Sequence, residues 1–244
     1  MSETLPITKD EVNQIIGYLN DHKLRQQQQL YFVQIGSNDG LQGDPLNHHI
    51  SNHSDTWQGV LVEPVKFLFE RLKKTYEHQN GLAFENSLIS DKRERVSFYY
   101  VDSKAETVFS DLPYWYDQLG SFDSKHIVKH LGNRILPYIR EEHFNSITLQ
   151  DLFLKYSINK LDLLHIDTEG HDYRILKQLK LSQACPTLIL IEYKHLTFWE
   201  TFKLVNKLKE KYKLFVVNDD LLAIELTFAE QITKGINLSH LFLR

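Results

Sequence analysis

Four short stretches of this 244-residue chain set glycine, polar or ionisable residues where apolar runs stop. The run Leu30–Ile35 empties into Gly36-Ser37-Asn38-Asp39-Gly40. Gly59-Val60-Leu61-Val62 stops at Glu63, with Pro64 behind it. Residues 161–166 stop at Asp167-Thr168-Glu169-Gly170-His171-Asp172, and residues 187–191 stop at Glu192-Tyr193-Lys194-His195. A buried strand leading into a glycine-bracketed polar turn brings backbone against a nucleotide-like ligand. An acid at the next strand tip is placed to accept hydrogen bonds from two ribose hydroxyls. Ionisable groups crowded at one strand mouth perturb one another's proton affinity, which general acid–base chemistry exploits.

The glycine spacing discriminates between ligands. It is G-x-x-x-G, not the G-x-G-x-x-G that clamps a dinucleotide pyrophosphate. Few glycines, with acids where phosphates would lie, suit S-adenosylmethionine (SAM), which carries a ribose and a sulfonium charge but no phosphate. On that reading Gly36, Ser37 and Gly40 bring backbone to the methionine end, and Asn38 or Asp39 bonds its ammonium. Glu63 holds the ribose beside Pro64; Asn86, Ser87 and Leu88 edge the adenine, and Asp167 closes the crevice. His171 is the candidate general base on a substrate hydroxyl, oriented by Asp167, with Glu169 and His195 completing the catalytic set. Asp167, Glu192 and His195 also make a hard-oxygen and imidazole set suited to Mg²⁺ or a similar divalent ion. Plainer readings compete. Asn38-Asp39-Gly40 is a good turn in its own right. Glu169 and Asp172 would favour the positive end of a following helix by ~0.3–1 kcal/mol each. Glu192 and His195 would serve as a structural pair, and no role falls to His165.

Periodicity supplies the elements that must position these groups. Thr8-Lys9-Asp10-Glu11 is a capping box opening an amphipathic helix, with Val12, Ile15, Ile16 and Leu19 on one face. Residues 8–28 are thus expected to form an N-terminal lid or brace. Asp44-Pro45 predicts a helix start with Asp44 as N-cap. A second helix follows Pro64, with Val65, Leu68, Phe69, Leu72 and Tyr76 at a 3.6 spacing. Strands are expected at 30–35, 59–62, 82–86, 96–101, 161–166 and 187–191, and a helix near 199–211. Residues 102–145 break the alternation and hold Tyr114, Trp115, Tyr116, Phe122 and Tyr138. Such an insertion is a candidate lid and acceptor pocket, its aromatics either stacking on substrate or forming a satellite core. Residues 213–217 and 221–226 flank Asn218-Asp219-Asp220, a hairpin signature. A mainly parallel α/β sheet ending in an antiparallel hairpin is the class I, Rossmann-like methyltransferase fold; a dinucleotide-binding domain would continue with parallel crossovers.

Composition narrows the remaining classes. An apolar content of 42% supports a real core, consistent with one domain over residues 1–244. A net charge of -4 forces no basic face, so nucleic acid is not the expected partner. The single cysteine, Cys185, rules out a disulfide framework or a cysteine-rich zinc site. Histidines cluster at 48, 49 and 53, at 126 and 130, and at 165 and 171, and matter where a cluster meets a strand end. The N-terminus is polar without a hydrophobic signal segment, and no apolar run approaches the ~20 residues of a membrane span. A cytoplasmic protein is expected, and composition allows a homo-oligomer.

Read in order, these motifs resemble the FkbM family of SAM-dependent methyltransferases. Val33-Gln34-Ile35-Gly36-Ser37-Asn38-Asp39-Gly40 looks like the family's first motif, and Asp44-Pro45 is similar to a feature found downstream of it. Leu61-Val62-Glu63-Pro64 resembles the second motif. Residues 161–172 are similar to the most distinctive segment, an aspartate followed by Glu-Gly. Gln118-Leu119-Gly120-Ser121-Phe122 looks like a stretch found in a subset of members. The resemblance spans roughly residues 30 to 195. It implies methyl transfer to a hydroxyl oxygen of a small molecule such as a sugar or natural product. His171 stands where other members carry an aromatic or a different residue. Two other classes compete. A nicotinamide-dependent oxidoreductase lacks support in the missing third glycine and the terminal hairpin. A non-catalytic binding module predicts an occluded or acid-poor crevice. A nucleic-acid methyltransferase would call for a basic surface.

Overall fold

The computed structural model describes residues 4–235. In chain order the elements are β1 (Thr4–Pro6), α1 (Lys9–Arg25), β2 (Leu30–Ile35), α2 (Asn47–Asn52), β3 (Trp57–Val62), α3 (Lys66–Thr75), β4 (Leu82–Glu85) and β5 (Arg95–Val101). There follow α4 (Lys104–Val108), α5 (Ser124–Leu131), β6 (Ile139–Asn145), α6 (Leu149–Lys155), β7 (Leu163–Ile166) and α7 (Asp172–Leu176). The chain continues through β8 (Leu188–Glu192), α8 (Phe198–Leu208), β9 (Tyr212–Val217), β10 (Asp220–Glu225) and α9 (Leu226–Gly235).

The main sheet has the order β1-β9-β10-β8-β7-β2-β3-β4. Its pairings are parallel except those of β10, which runs antiparallel to both β8 and β9. Apart from the edge strand β1, this is the expected Rossmann-like sheet with its terminal hairpin. Parallel strands are covered by helices on both faces, so they read as continuous apolar runs. Every residue of β7 and β8 is buried. Alternate residues of β2 feed two cores: Phe32 packs with Trp57, Ile16 and Leu19 on one face, Val33 and Ile35 with Leu152, Ile175 and Leu204 on the other.

Helix α1 is a brace and not a lid. Thr8 caps it through a reciprocal pair with Glu11, and Ile15, Ile16 and Leu19 are fully buried. Near its end Lys23 Nζ reaches Asp162 at 2.5 Å, with both side chains largely shielded from water. The second Asp162 oxygen accepts from the Tyr31 amide at 2.9 Å. This ion pair lies at the amino ends of β2 and β7, away from the strand mouths.

Three local expectations change. Helix α2 begins at Asn47, not at Asp44-Pro45. The Asp44 carboxylate instead accepts from the Leu46 amide at 2.8 Å and from Gln34 Nε2 at 2.9 Å, stitching the loop to β2. The strand expected at 96–101 exists but leaves the main sheet and pairs antiparallel with β6. Strand β6 lies inside the 102–145 stretch and is mostly exposed, so it carries no alternating apolar signal. Most aromatics of that stretch form a satellite core: Tyr116 is buried with Leu119, Ile127 and Ile135, and Trp115 and Tyr138 pack against it. Tyr114 is exposed, and Phe122 turns toward the strand mouths.

Candidate active site

Strand order reverses between β2 and β7, and a cleft opens there at the carboxyl ends of β2, β3 and β7. Its cavity volume is about 130 Å³, and its mouth is open to solvent. Gly36, Ser37, Asn38, Glu63, Pro64, Ser87, Leu88 and Asp167 all line it. The wall is rich in carboxyl groups, from Asp44, Glu63, Asp117, Asp167 and Glu169; Arg71, outside it, pairs with Asp117 at 3.1 Å, and no lysine or arginine is among the described lining residues. A pyrophosphate would meet repulsion here, whereas a cation is attracted.

The glycine turn is built for close backbone approach. Gly36 has φ +84°, and a β-carbon there would fall 1.7 Å from the Asp167 carbonyl oxygen. The Gly36 and Ser37 amides both donate to the Val62 carbonyl, at 3.1 and 3.0 Å, so they lock β2 to β3 and are not free for a ligand carboxylate. Gly40, also at positive φ, packs against Tyr76 and Leu72 of the α3 region, outside the cleft lining. Asp39 also lies outside it, because its carboxylate accepts from the Leu41 amide of its own turn. Asn86 stands behind the wall and donates to the Glu63 and Pro64 carbonyls at 2.8 Å each. These three residues position the cleft without facing it. Asn38 faces it with φ +47°, a left-handed backbone uncommon outside glycine.

Glu63 carries more structure than its sequence position suggests. One carboxylate oxygen accepts from the Asn38 amide at 3.0 Å and the other from the Val65 amide at 2.8 Å. Burial, with Asp117 and Asp39 nearby, pushes its pKa up to about 7. Each oxygen keeps a second lone pair for a ribose hydroxyl. Glu63→Ala is therefore expected to weaken donor affinity about tenfold or more and also to cost ~1–3 kcal/mol of stability by orphaning two amides. Calorimetric donor titration and urea unfolding check both; unchanged affinity would remove Glu63 from the donor site.

The Asp167–Asp172 loop is held from below. Asp172 is fully buried and accepts from the Thr168 and Gly170 amides at 2.9 and 3.0 Å. Burial raises its pKa to about 7. Asp167 is pushed up by burial and by Glu169 and Asp172 close by; Glu192 rises to about 10 for the same reason, with Asp167 and Glu169 as neighbours. His171 is buried, stacks on Phe122 with ring centroids 4.0 Å apart, and lies 3.1 Å from Ser90 Oγ through Nε2. Burial drives its pKa down to about 4. His165, buried on β7, also lines the cleft, with Nδ1 unbonded.

A second cavity abuts the first, formed by Ser121, Phe122, Asp123, Lys125, His126 and Lys129 of the insertion and by Glu169, Gly170, His171, Arg174 and His195. Phe122 and Glu169 belong to both walls. Glu169 has φ +52° and presents Oε2 to His126 Nε2 at 3.0 Å and His195 Nε2 at 3.2 Å. His195 Nε2 is 3.7 Å from Glu192 Oε1. The expected trio Asp167, Glu192 and His195 does not assemble as one set; Asp167 groups with Asp172 and Glu192, and His195 with Glu169 and Glu192. Sequence reasoning gave no role to His126 or Asp117. The spacing of His126 and His130, four apart just after the Asp123 N-cap of α5, is the signal that one helix face presents both rings.

A family profile for the methyltransferase FkbM domain matches residues 34–215. The crystal structure of the methyltransferase FkbM from Methylobacillus flagellatus KT superposes with TM-score 0.50 at 12% identity, over 80% of this chain and 43% of that one. The N-terminal domain of human METTL16 in complex with SAH gives TM-score 0.40 at 12% identity, over 86% of this chain and 66% of that one. The chain thus spans less than half the length of the first neighbour and just under two thirds of the second. A search of curated proteins found no match.

Proposed function

Because the chain belongs to the FkbM methyltransferase family, we propose that it transfers a methyl group from SAM to a hydroxyl oxygen of a small, anionic acceptor. One observation carries this reading: the acid-lined cleft and the second cavity share the Phe122–Glu169 wall, so donor and acceptor would meet across it. The family and its fold support SAM as the donor, and the lysine- and arginine-free lining supports a cation over a pyrophosphate. When bound, SAM supplies an electrophilic methyl carbon on a positively charged sulfur.

The chain's own residues align and enclose. Glu63 takes the ribose, Ser87 and Leu88 edge the adenine, and Asn38 and Asp167 face the methionine end. Phe122 covers the junction and excludes water that would compete with the acceptor. The acceptor hydroxyl would be held toward the donor cleft from the second cavity, and its proton would pass to His171, which lines that cavity. Asp167 and Glu169 hold that geometry.

The rim of the second cavity refines the acceptor. Lys125, Lys129 and Arg174 line it with no ion pair recorded among the described residues, which favours a carboxylate or phosphate beside the hydroxyl. The protein as purified is expected to retain SAM or its demethylated product by mass spectrometry. Hydroxylated acids or sugar phosphates should then gain one methyl mass. The pair Lys125→Glu and Lys129→Glu together should raise KM for such an acceptor about tenfold or more, with a smaller change in kcat. No donor binding would end the reading; an unchanged KM would end the anionic acceptor alone.

A further inference from the structure

We propose that His126, Glu169, Glu192 and His195 form a divalent transition-metal site in the wall between the two cavities. His126 Nε2 and His195 Nε2 approach the same oxygen, Glu169 Oε2, at 3.0 and 3.2 Å, and Glu192 Oε1 stands 3.7 Å from His195 Nε2. Ligands of a four-coordinate ion with bonds near 2.1 Å lie roughly 3.4 Å apart, and the Glu169–His195 and Glu192–His195 separations of 3.2 and 3.7 Å bracket that value, with His126 reaching Glu169 from the other side. The ligand atoms of Glu169, Glu192 and His195 lie within 4.8 Å of one another, as do those of His126, His130 and His195.

A second observation points to the same conclusion. His126 Nε2, Glu169 Oε2 and Glu192 Oε2 are buried and make no hydrogen bond. Glu192 is 8% exposed, so its free oxygen has no water to replace a partner. Buried polar atoms in native proteins are nearly always paired, and a convergent group of unpaired ones calls for a missing partner. A cation seated among Glu169, Glu192 and His195 would give the two carboxylates the partner they lack.

Three elements deliver the ligands. Helix α5 brings His126, the end of β8 brings Glu192 and then His195 three residues on, and the left-handed backbone at Glu169 turns its carboxylate into the wall. Gly170 permits this, since a β-carbon there would touch His195 Cβ at 3.4 Å and its φ is +103°. The nitrogen-bearing donor set suits Zn²⁺ or Mn²⁺ better than Mg²⁺, which demands oxygen ligands. Relative to the set expected from sequence, His126 and Glu169 replace Asp167.

The role of the ion rests on the methyltransfer reading. It would hold the acceptor's hydroxyl together with a neighbouring oxygen, as in a vicinal diol or an α-hydroxy acid, and fix that oxygen against the donor cleft. The binding itself is tested without donor or acceptor. The full chain, stripped with a chelator, is titrated with Zn²⁺ by calorimetry and with Co²⁺ by visible absorption. We expect about one ion per chain with micromolar or tighter affinity. His126→Ala and Glu169→Gln should each weaken it about 100-fold, with the Co²⁺ bands shifted or lost. The Glu169→Gln variant keeps the side-chain shape and serves if His126→Ala unfolds. Affinity no tighter than millimolar, or wild-type binding in the variants, overturns the site and leaves an ordinary polar cluster. Failure here leaves methyl transfer standing, and metal binding without any methyl transfer would remove only the role.

Discussion

Gly36→Ala is expected to abolish donor binding and to lower stability by about 3 kcal/mol or more. The new β-carbon would sit 1.7 Å from the Asp167 carbonyl oxygen and 2.8 Å from its carbon. Both are backbone atoms, so no rotamer change relieves the overlap. The neighbouring Asp167 amide donates to the Ile35 carbonyl at 2.9 Å, so separating the two segments breaks the last bond between β2 and β7. The φ of +84° adds ~1–2 kcal/mol for any residue with a β-carbon. For a chain of this size the midpoint of thermal unfolding should fall roughly 6–12 °C. Gly17→Ala is the control: it lies in α1 with nothing within 4 Å of the added carbon and should gain ~0.5–1 kcal/mol. Wild-type donor affinity and melting in Gly36→Ala would show that the turn tolerates a side chain.

Lys23→Met should be the most damaging change far from the cleft, costing ~3–5 kcal/mol. The substitution keeps the apolar stem but removes the ammonium, leaving Asp162 buried opposite a methyl group. Asp162 cannot move to water, since its second oxygen holds the Tyr31 amide at the start of β2. The penalty is therefore that of an uncompensated buried charge, not of a lost surface ion pair. Urea unfolding should show a lower midpoint at unchanged slope, with donor affinity retained because the pair sits at the amino ends of the strands. A loss below ~1 kcal/mol would mean that water or another cation reaches Asp162.

What was legible in the sequence was local. The glycine turn, Glu63 at the tip of β3, the capping box at Thr8, and the β9–β10 hairpin are each set by residues a few positions apart. They fixed the fold class. Long-range geometry was not legible. The uses of the Gly36 and Ser37 amides depend on Val62, and the Asp39 side chain is consumed by its own turn, so the residue beside it faces the cleft instead. Strand β6 carries no sequence signal because exposed ribbon strands need no apolar alternation. His126 joined Glu169 and His195 through the fold of a 43-residue separation that no spacing rule spans; only its pairing with His130 on one helix face hinted at it.

The acid-lined wall has a consequence for turnover. On the proposed reading, five carboxyl-bearing residues, of which Asp117 is paired with Arg71 at 3.1 Å, would draw in a sulfur that arrives positively charged. Handing on the methyl group leaves that sulfur neutral. The wall then holds a guest stripped of the charge that recruited it, so the chemical step itself slackens the electrostatic grip and biases the spent molecule toward departure.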